Sequence, residues 1–421
     1  MTDAANETSE SPATPEQASR RNFLLGGTAL TLAAVAAQRS MAASSGVLVP
    51  ASTYVPIPAG KKLRIAVVGG NFGLAWPWNL HPNCEVTAVA DLFADRRERL
   101  KQQFRCDNVY GEFHPLLKDP KVDAVALYTY GPDHAAQCID IMKAGKHAVT
   151  VIPAAVSLED CQRLVDTVRS TGQTYMYGET GCHHPAAIAS RAFYEQGKYG
   201  EVYYTAGEYT HSVYTGPVDD VMKSLLHEGK KTWRWGFPQG WYSGHAIGPI
   251  IHATRDRFVE VSATGVEYSY APFKTNPYGN PYVNTTFAFR SAAGKPSTIK
   301  VHWMTASPGR EGADIYGTKM SLYEEREGLP AGVSFPEQDK PVPLDLAPLI
   351  EALPPELRKV PGHGGAHPQV IHEFVSACLL GRKPSVDVHQ AVAISSAGIV
   401  GFQSALRHGE TLKIPDFGAM T

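Results

Sequence analysis

The chain has 421 residues, and its 39 lysines and arginines nearly balance its 41 aspartates and glutamates, leaving a formal net charge of −2. This balance gives no electrostatic surface for nucleic acid or for an anionic membrane, so we expect a small neutral ligand instead. The six cysteines lie far apart without a Cys-x-x-Cys pair, which argues against a zinc site or a disulfide framework, and no metal is predicted.

The N-terminal region carries an export pattern. Arg20 and Arg21 precede an apolar stretch from Phe23 to Ala37, and the small residues around Ser40–Ala42 offer a cleavage site. This layout is typical of a removable twin-arginine signal rather than of a membrane-spanning helix. We therefore expect a signal peptide over residues 1–43 and a spacer over 44–60. The mature protein is then periplasmic or otherwise exported without a stable membrane anchor, and the twin-arginine export machinery is one partner.

Roughly 360 residues remain after this leader, which is enough for two domains. Over residues 61–180, short β-branched runs alternate with helical stretches, the period of a parallel βαβ sheet, and predict a Rossmann-type doubly wound domain. Ser157 is the predicted N-cap of its last helix. The predicted strands are 65–68, 86–90, 124–128, 148–152 and 174–177, and the predicted helices are 94–104, 135–144 and 158–170.

The pattern changes over residues 181–421. Longer alternating runs with turn signals predict an α+β domain with an open, mainly antiparallel sheet, so the overall fold class is α/β followed by α+β. Its open face is a candidate interface for a homo-oligomer. The tryptophan-rich segment 212–240 is predicted to be a loop near a site. The predicted strands are 201–209, 259–270, 283–290 and 297–305, and the predicted helices are 186–197, 369–380 and 388–407.

A glycine cluster follows the first predicted strand and precedes a predicted helix. Glycine there lets the backbone approach a pyrophosphate, whose charge the N–H groups of the helix would meet. The G-x-G-x-x-G spacing is not kept, because asparagine and leucine stand at the second and third positions, although asparagine tolerates a positive φ. The candidate cofactor-binding residues of this cluster are Gly69, Gly70, Asn71, Phe72 and Gly73.

Asp91 ends the second predicted strand, about 20 residues after the cluster, where a carboxylate binds the ribose hydroxyls of NAD. NAD is therefore the expected cofactor. Arg96 and Arg97 stand nearby and leave NADP open as the alternative.

The segments Gly131–His134, Ala144–His147 and Val151–Ala155 resemble the Gfo/Idh/MocA family of nicotinamide-dependent sugar and polyol oxidoreductases. The resemblance implies a carbohydrate substrate and places His134 and Pro153 at the cofactor. In that family the last of these segments contains Glu-Lys-Pro, whose lysine acts on the reacting hydroxyl. Here Val151 and Ile152 precede Pro153, so that lysine is missing.

One branch of that superfamily, glycoside hydrolase family 109, is similar at this point, since its members carry Glu-Val-Pro-Ala and hydrolyse glycosides with NAD kept bound. Tyr242–Pro249 resembles its Tyr-Pro-Thr-His-Gly-x-Gly-Pro stretch, and Glu179 matches a glutamate after its last Rossmann strand, which implies a position at the cofactor. The chain departs from the branch at His183, where a tyrosine is expected, and at Ser243–Gly244, which replace Pro-Thr.

A histidine that is neutral near pH 7 suits the base required to oxidise a carbinol. His245 is the first candidate, in a glycine-rich turn beside Tyr242, which joins it as a candidate catalytic residue. His183 and His184 are second candidates, because strand carboxyl ends border the ligand crevice. Further candidate polar groups are Tyr209 and His211, at the end of the 201–209 strand, and the histidine-containing loop of residues 363–368. Each of these groups also has a purely structural interpretation.

These observations predict an NAD-dependent oxidoreductase that acts on the CH–OH group of a sugar, polyol or glycoside. Because the periplasm holds no nicotinamide pool, the cofactor is expected to stay bound and to be recycled internally. The alternative is a redox-neutral, NAD-dependent glycoside hydrolase like family 109. A second alternative is a catalytically silent protein that binds a nucleotide or a sugar.

Overall fold

The computed structural model describes residues 47–49, 56–58, 60–215, 221, 225–306, 308–326 and 328–420. Arg20, Arg21 and the expected cleavage site lie outside these residues, and the predicted export signal stays a prediction. The first described strand is β1 (Val47–Leu48). From residue 48 onward the described chain forms one compact unit built on two large sheets.

The first sheet has six parallel strands in the order β4-β3-β2-β5-β6-β7. The order reverses between β2 and β5, which is the switch point where doubly wound sheets bind ligands. The central strand β5 is buried at every residue, as expected when helices cover both faces. The strands are β2 (Leu63–Val68), β3 (Cys84–Ala90), β4 (Val109–Tyr110), β5 (Ala124–Leu127), β6 (His147–Thr150) and β7 (Tyr175–Tyr177).

Three of the helices between these strands, α1, α3 and α4, begin and end within two residues of the predicted bounds, whereas the short helix α2 was not predicted. Ser157 caps α4 as predicted, since its hydroxyl oxygen accepts a hydrogen bond from the N–H of Asp160 at 3.1 Å. Gly172 ends the same helix in the left-handed conformation. The helices are α1 (Ala94–Phe104), α2 (Phe113–Leu116), α3 (His134–Lys143) and α4 (Leu158–Thr171).

The helix expected after the glycine cluster is absent from the described chain. Two single 3₁₀ turns, Gly73–Ala75 and Trp78–Leu80, connect β2 to β3 instead. Pro77 stands between them, and its ring and missing N–H prevent one helix from running through this segment. The expectation that helical N–H groups would face the pyrophosphate is therefore wrong.

The second sheet is mixed but mainly antiparallel, which confirms the predicted fold class. From residue 202 onward its nine described strands run in the order β17-β16-β15-β14-β8-β13-β12-β11-β18, and only β8 and β13 pair in parallel. The strands are β8 (Val202–Thr210), β11 (Phe258–Glu267), β12 (Tyr282–Ser291), β13 (Pro296–His302), β14 (Arg310–Gly317), β15 (Ser321–Tyr323), β16 (Gly332–Ser334), β17 (Val342–Asp345) and β18 (Leu412–Lys413).

Within the predicted loop 212–240, the structure places a small hairpin of β9 (Leu226–His227) and β10 (Lys230–Lys231). The hairpin reaches the first sheet's side of the molecule, because the ring of His227 packs edge-on to that of Phe93 with centroids 4.4 Å apart. The tryptophan-rich segment therefore bridges the two sheets.

His245 lies in a helix, not in a turn. Residues 244–254 form α7, and every one of its residues is buried. Its two glycines and Pro249 hide the helical pattern in the sequence, because these residues are poor helix formers elsewhere. The remaining helices are α5 (Thr180–His183), α6 (Pro185–Glu195), α8 (Ala271–Lys274), α9 (Ala347–Glu351), α10 (Ala366–Leu380) and α11 (Val388–Leu406).

The two last helices join the sheets. Side chains of α10, among them Val370 and Phe374, pack with Ile65 and Val67 in the core of the first sheet, although the sequence assigned this helix to the second domain. The backbone of α11 meets the turn before α7, and a Cβ on Gly398 would overlap the carbonyl oxygen of Gly240. No helix among the described residues is long and apolar enough to span a bilayer.

The cysteines are apolar filler, as predicted. None of the six forms a disulfide in the structure, and all but Cys378 are fully buried. Burial raises the pKa of several of these thiols, so they remain protonated and unreactive.

Candidate active site

A glycine turn follows β2 at the carboxyl edge of the first sheet. Gly69 has a φ of +103°, which favours glycine, and a Cβ there would overlap the carbonyl of Tyr128. A Cβ on Gly70 would lie 2.9 Å from the Cβ of Arg96. The turn therefore presents bare backbone at the switch point. Asn71 is exposed and, contrary to expectation, does not need a positive φ.

Asp91 closes this turn from β3. Its Oδ2 accepts a hydrogen bond from the N–H of Gly70 at 2.6 Å, and its Oδ1 accepts one from the N–H of Phe93 at 2.8 Å. The carboxylate thus lies beside the glycine backbone, where it can take ribose hydroxyls. The glycine turn and Asp91 together fit NAD, and the same carboxylate would repel an additional 2′-phosphate.

The turn is backed by aromatic rings. Phe72 packs edge-on against Trp76 and Tyr128, with ring centroids 5.7 and 6.0 Å apart. Gly73 is buried, and a Cβ on it would lie 3.0 Å from the ring of Tyr128. These contacts fix the turn without the helix that usually supports it.

Val151, Ile152 and Pro153 occupy the position of the missing family lysine. The side chains of Val151 and Ile152 are buried. Because these side chains and that of Pro153 are apolar, the segment offers no titratable group. His134, at the start of α3, donates from Nδ1 to the carbonyl oxygens of Val151 at 3.1 Å and Pro153 at 2.9 Å. His134 therefore holds the backbone of this segment in place.

Glu179 follows β7 and is fully buried. Its Oε1 accepts a hydrogen bond from the N–H of Gly181 at 3.1 Å, and its Oε2 accepts one from the hydroxyl of Tyr177 at the same distance. A carboxylate that is held by two donors is rigid. The Glu179 side chain also contacts His245. The position of Glu179 at the cofactor, which the family resemblance implies, stays a prediction.

The His245 imidazole lies between two carboxylates. Its Nδ1 is 2.5 Å from Oε1 of Glu179 and 3.1 Å from Oε1 of Glu311, and Thr180 Oγ1 lies 3.3 Å away. With a proton on Nδ1 donated to the carboxylates, Nε2 is the nitrogen left to exchange a proton with a substrate. This arrangement is the orienting carboxylate–histidine pair of general-base catalysis.

Glycines allow this close approach. A Cβ on Gly244 would lie 2.6 Å from Oε2 of Glu179, and a Cβ on Gly181 would lie 2.9 Å from the carbonyl oxygen of His245. On the opposite side, Gly207 of β8 leaves room for the backbone of Ala246. The first turn of α7 is therefore clamped between the two sheets, and its N-terminal dipole faces the Glu179 carboxylate.

The charged groups continue beyond His245. His184 lies 3.7 Å from Glu311 through Nε2 and 3.4 Å from Glu324 through Nδ1. We call this connected set of five residues the acid–base array: Glu179, His245, Glu311, His184 and Glu324. Its members come from the ends of β7, α5, α7 and β15 and from β14 itself.

Burial and charge act against each other in the array. Burial lowers the pKa of His245, but Glu179 and Glu311 outweigh it and raise that pKa well above the ordinary value. Burial would raise the pKa of Glu311, yet the adjacent His245 and His184 hold it well below its usual range. Burial raises the pKa of Glu324 despite the hydrogen bond from His184. The centre of the array is therefore a charged imidazolium–carboxylate pair.

The three central groups also have the composition of a metal site. Ligand atoms of Glu179, His245 and Glu311 lie within 4.8 Å of one another, and no other such group occurs in the part of the chain the structure describes. The shortest separation, 2.5 Å, is that of a charged hydrogen bond rather than of two ligands around one zinc. The expectation of no metal stays a prediction.

Two histidines link the array to the glycine turn. His367 donates from Nδ1 to the carbonyl of Ala75 at 3.1 Å and accepts from Nδ1 of His363 at 2.9 Å. The ring of His363 stacks near that of His245 with centroids 6.5 Å apart. Burial lowers the pKa of His367 to about 4, so this link is neutral at physiological pH.

The other predicted catalytic residues separate in the structure. Tyr242 lies in the site, with its ring 5.2 Å from that of His245. His183 points away, because its Nδ1 donates to the backbone carbonyl of Glu179 at 2.8 Å, and burial lowers its pKa. His183 therefore supports the Glu179 backbone rather than facing the cleft.

Sequence reasoning missed Glu311, Glu324 and Thr180. The first lies in β14 and the second directly after β15, two strands that were not predicted, and no spacing relates them to His245. Tyr209 was named and does contact the site, with its ring 4.6 Å from that of His245. Its pairing with Glu311 across β8 and β14 explains why both reach the same histidine.

A separate cavity of about 400 Å³ lies at the other end of β8, and the array does not line it. Its walls include Tyr199, Thr254 and Phe258, and Glu201 and Lys295 are among its lining residues. The acid–base array therefore lies apart from this cavity, where the first turn of α7 packs between the two sheets.

Comparison with known proteins agrees with this architecture. Residues 63–179 match the Gfo/Idh/MocA family model, described as an oxidoreductase family with an NAD-binding Rossmann fold. A glycosyl hydrolase family 109 protein of Stenotrophomonas maltophilia is 24% identical, with 91% of this chain and 95% of the relative covered. An alpha-N-acetylgalactosaminidase of Bacteroides fragilis is 25% identical over 70% of this chain and 75% of the relative.

Among solved structures, a levoglucosan dehydrogenase in complex with NADH and levoglucosan shares the fold. The TM-score is 0.69 at 18% identity, with 85% of this chain and 100% of the other covered. Residues 63–179 are therefore similar to the NAD-binding Rossmann domain of the Gfo/Idh/MocA oxidoreductase family.

Proposed function

We propose that this protein is an NAD-dependent oxidoreductase that acts on a CH–OH group of a sugar, polyol or glycoside and retains its cofactor between turnovers. The observation that carries the proposal is the pairing of His245 Nδ1 with Glu179 and Glu311. This pairing leaves Nε2 as the proton acceptor in a cleft that adjoins the nucleotide domain.

The chain's own residues supply the acid–base chemistry, and bound NAD supplies a hydride acceptor. Because Glu179 and Glu311 raise the pKa of His245, the ring acts as a base in its neutral form, which predominates only above that raised pKa. In that form His245 takes the hydroxyl proton on Nε2 as the carbon is oxidised. Glu179 and Glu311 stabilise the imidazolium that forms, and they keep the ring in one orientation. His245 thus takes over the role of the missing lysine, because Val151 and Ile152 cannot titrate.

Glu311 lies between His245 and His184, and Thr180 donates to the same carboxylate at 3.0 Å. Because both histidines hold the pKa of Glu311 well below its usual range, this carboxylate remains ionised. We infer that Glu311 stabilises the His245 imidazolium and does not itself carry the proton.

A redox-neutral glycoside hydrolase is the second candidate, and the names of the relatives favour it. The same histidine would serve there, because oxidation next to a scissile bond needs the same base. The two activities differ in outcome, since the hydrolase releases an aglycone without net oxidation.

Export by the twin-arginine route, through Arg20 and Arg21, belongs to the proposal. A protein exported to a compartment without a nicotinamide pool needs a cofactor that does not exchange. Assembly into a homo-oligomer through the open face of the second sheet is proposed with it.

The test uses purified mature protein, washed while folded and then denatured. Mass spectrometry of the released supernatant should find NAD or NADH at about one equivalent per chain. Aryl glycosides are then assayed against pairs of sugars and carbonyl acceptors, with His245→Ala as the control. Absence of nucleotide, together with no binding of added NAD, would leave only the silent binding protein.

A further inference from the structure

Arg234 stands at the same cleft and has no carboxylate partner among the residues that the structure describes. It follows the hairpin of β9 and β10, and its side chain is exposed. Its guanidinium carbon lies 4.5 Å above the centre of the Trp233 ring and 5.4 Å from that of Tyr242. The guanidinium is thus held by aromatic rings, and none of the described carboxylates pairs with it.

The rings that hold Arg234 belong to the active site. Tyr242 contacts His245, as described above, and the Tyr242 and Trp233 ring centres are 6.3 Å apart. On its other side, Trp233 reaches the nucleotide domain, where a Cβ on Gly131 would lie 3.3 Å from it. Arg234 therefore lies at the junction of the two sheets, one aromatic ring away from His245.

Arg234 and Tyr242 also keep hydrogen-bond donors available for a ligand. Arg234 donates from Nη2 to the hydroxyl oxygen of Tyr242 at 3.3 Å, so the Tyr242 proton is free to be donated elsewhere. The guanidinium retains further N–H groups in its planar fork, which match the two oxygens of a carboxylate. Phosphate sites normally recruit several cations, and among the residues that the structure describes no second cation lies over the Trp233 or Tyr242 ring.

The pairing of the neighbouring carboxylates also favours an acidic ligand for Arg234. The carboxylates nearest the cleft, Glu179 and Glu311, are paired with His245, and Glu311 also faces His184. None of them compensates Arg234. A substrate that brings its own negative charge would complete the cleft, whereas a neutral sugar would leave this cation unused.

We propose that Arg234, with the hydroxyl of Tyr242, forms a carboxylate subsite, and that the substrate is an acidic sugar such as a uronic acid or its glycoside. The ring of the sugar lies against Trp233 and Tyr242, and its reacting hydroxyl faces His245. This inference rests on the proposed function only in taking the cleft as a carbohydrate site.

The test compares ligands that differ only at C6. Methyl glucuronide is titrated against methyl glucoside, and methyl galacturonide against methyl galactoside, into the full-length protein by isothermal titration calorimetry. At low salt we expect one acid to bind at least about tenfold more tightly than its neutral partner, the scale of a charge-assisted pair. The preference should weaken with added salt.

Arg234→Gln should remove the preference while leaving affinity for the neutral sugar within about twofold, and Arg234→Lys should restore part of it. Arg163→Gln, an exposed arginine paired with Asp160 on α4, is the matched control and should keep the preference. Thermal melting of each variant verifies folding.

Equal affinity for acid and neutral sugar, or a preference that survives Arg234→Gln, overturns the carboxylate subsite. Tighter binding of glucose 6-phosphate than of either acid overturns it in favour of a phosphate site. Nucleotide content is measured on the same samples. An acid preference without NAD would refute the proposed function alone, and NAD without an acid preference would refute this subsite alone.

Discussion

The glycine turn and the acid–base array are linked through His363 and His367 but are built differently. The turn uses residues within one stretch of chain, Gly69 to Asp91, and its requirement is steric, because added atoms would overlap backbone. The array gathers five residues between positions 179 and 324, and its requirement is electrostatic. The difference teaches that cofactor binding here depends on local shape, whereas catalysis depends on how two sheets are joined.

Removing the base should give the largest effect. His245→Ala should lower turnover by about 10³-fold, the scale of general-base catalysis, while the nucleotide stays bound because the glycine turn is untouched. Steady-state rates and nucleotide content by mass spectrometry test both halves. His183→Gln is the comparison, and turnover that falls equally in both variants would show that His245 has no special role.

Disturbing the glycine turn should remove the bound nucleotide, which removing His245 should not do. Gly69→Ala forces a strained φ and an overlap with the Tyr128 carbonyl, so we expect a loss of about 2–3 kcal/mol of stability and loss of bound nucleotide. Thermal melting and nucleotide content measure this. Gly111→Ala is the control, since the nearest atom to a Cβ there is 3.8 Å away. Normal nucleotide content in Gly69→Ala would contradict the steric account.

Neutralising one carboxylate should shift the pH dependence without emptying the cofactor site. Glu179→Gln removes a charge that raises the pKa of His245. As His245 must be neutral to accept a proton, the limb on which kcat/KM rises with pH should move to lower pH. A pH–rate profile of this variant and of Glu311→Gln, which should shift in the same direction, is the measurement. An unmoved limb would mean that another group titrates.

The smallest effect concerns the free energy of unfolding and the histidine pair His81 and His372, which belongs neither to the glycine turn nor to the array. The N–H of Asn83 donates to Nδ1 of His81, so His81 donates from Nε2 to Nδ1 of His372 at 3.0 Å. Burial, with His372 beside it, lowers the pKa of His81 to about 3, and burial lowers that of His372 to about 4. Because the unfolded chain binds protons more readily, stability should fall as pH drops below about 6.5, by up to about 1.4 kcal/mol per pH unit for each histidine.

His81→Gln should reduce that slope by about one histidine's share. Urea unfolding between pH 7.5 and 5 gives the slope directly. His114→Gln, at a side chain that is 71% exposed, is the control. An unchanged slope in His81→Gln would show that the pair does not titrate on unfolding.

The nucleotide domain could be predicted from sequence because its signals are local. The alternating strands and the Ser157 cap each act within a few residues, and the glycine turn and Asp91 follow consecutive strands of the first sheet. The helix after the glycine turn was predicted from the general motif, and Pro77 overrules it. The α7 helix was missed because Gly244, Gly248 and Pro249 serve close packing rather than helix propensity.

The array could be predicted only in part. His245 and Glu179 were identified through a family resemblance, but Glu311 and Glu324 depend on strand pairing in the second sheet, which no local pattern indicates. Arg234 was likewise missed, although the tryptophan beside it was noticed. Residues that come together only through tertiary structure have no characteristic separation in the sequence.

The contact between Gly398 and Gly240 has a consequence for the order of assembly. Helix α11 supports the turn that leads into the His245 helix, although the two segments lie far apart in the sequence. The strands of the nucleotide sheet precede both segments in chain order. The glycine turn can therefore form before His245 is held in place, and deletion of α11 should release His245 while it leaves the glycine turn intact.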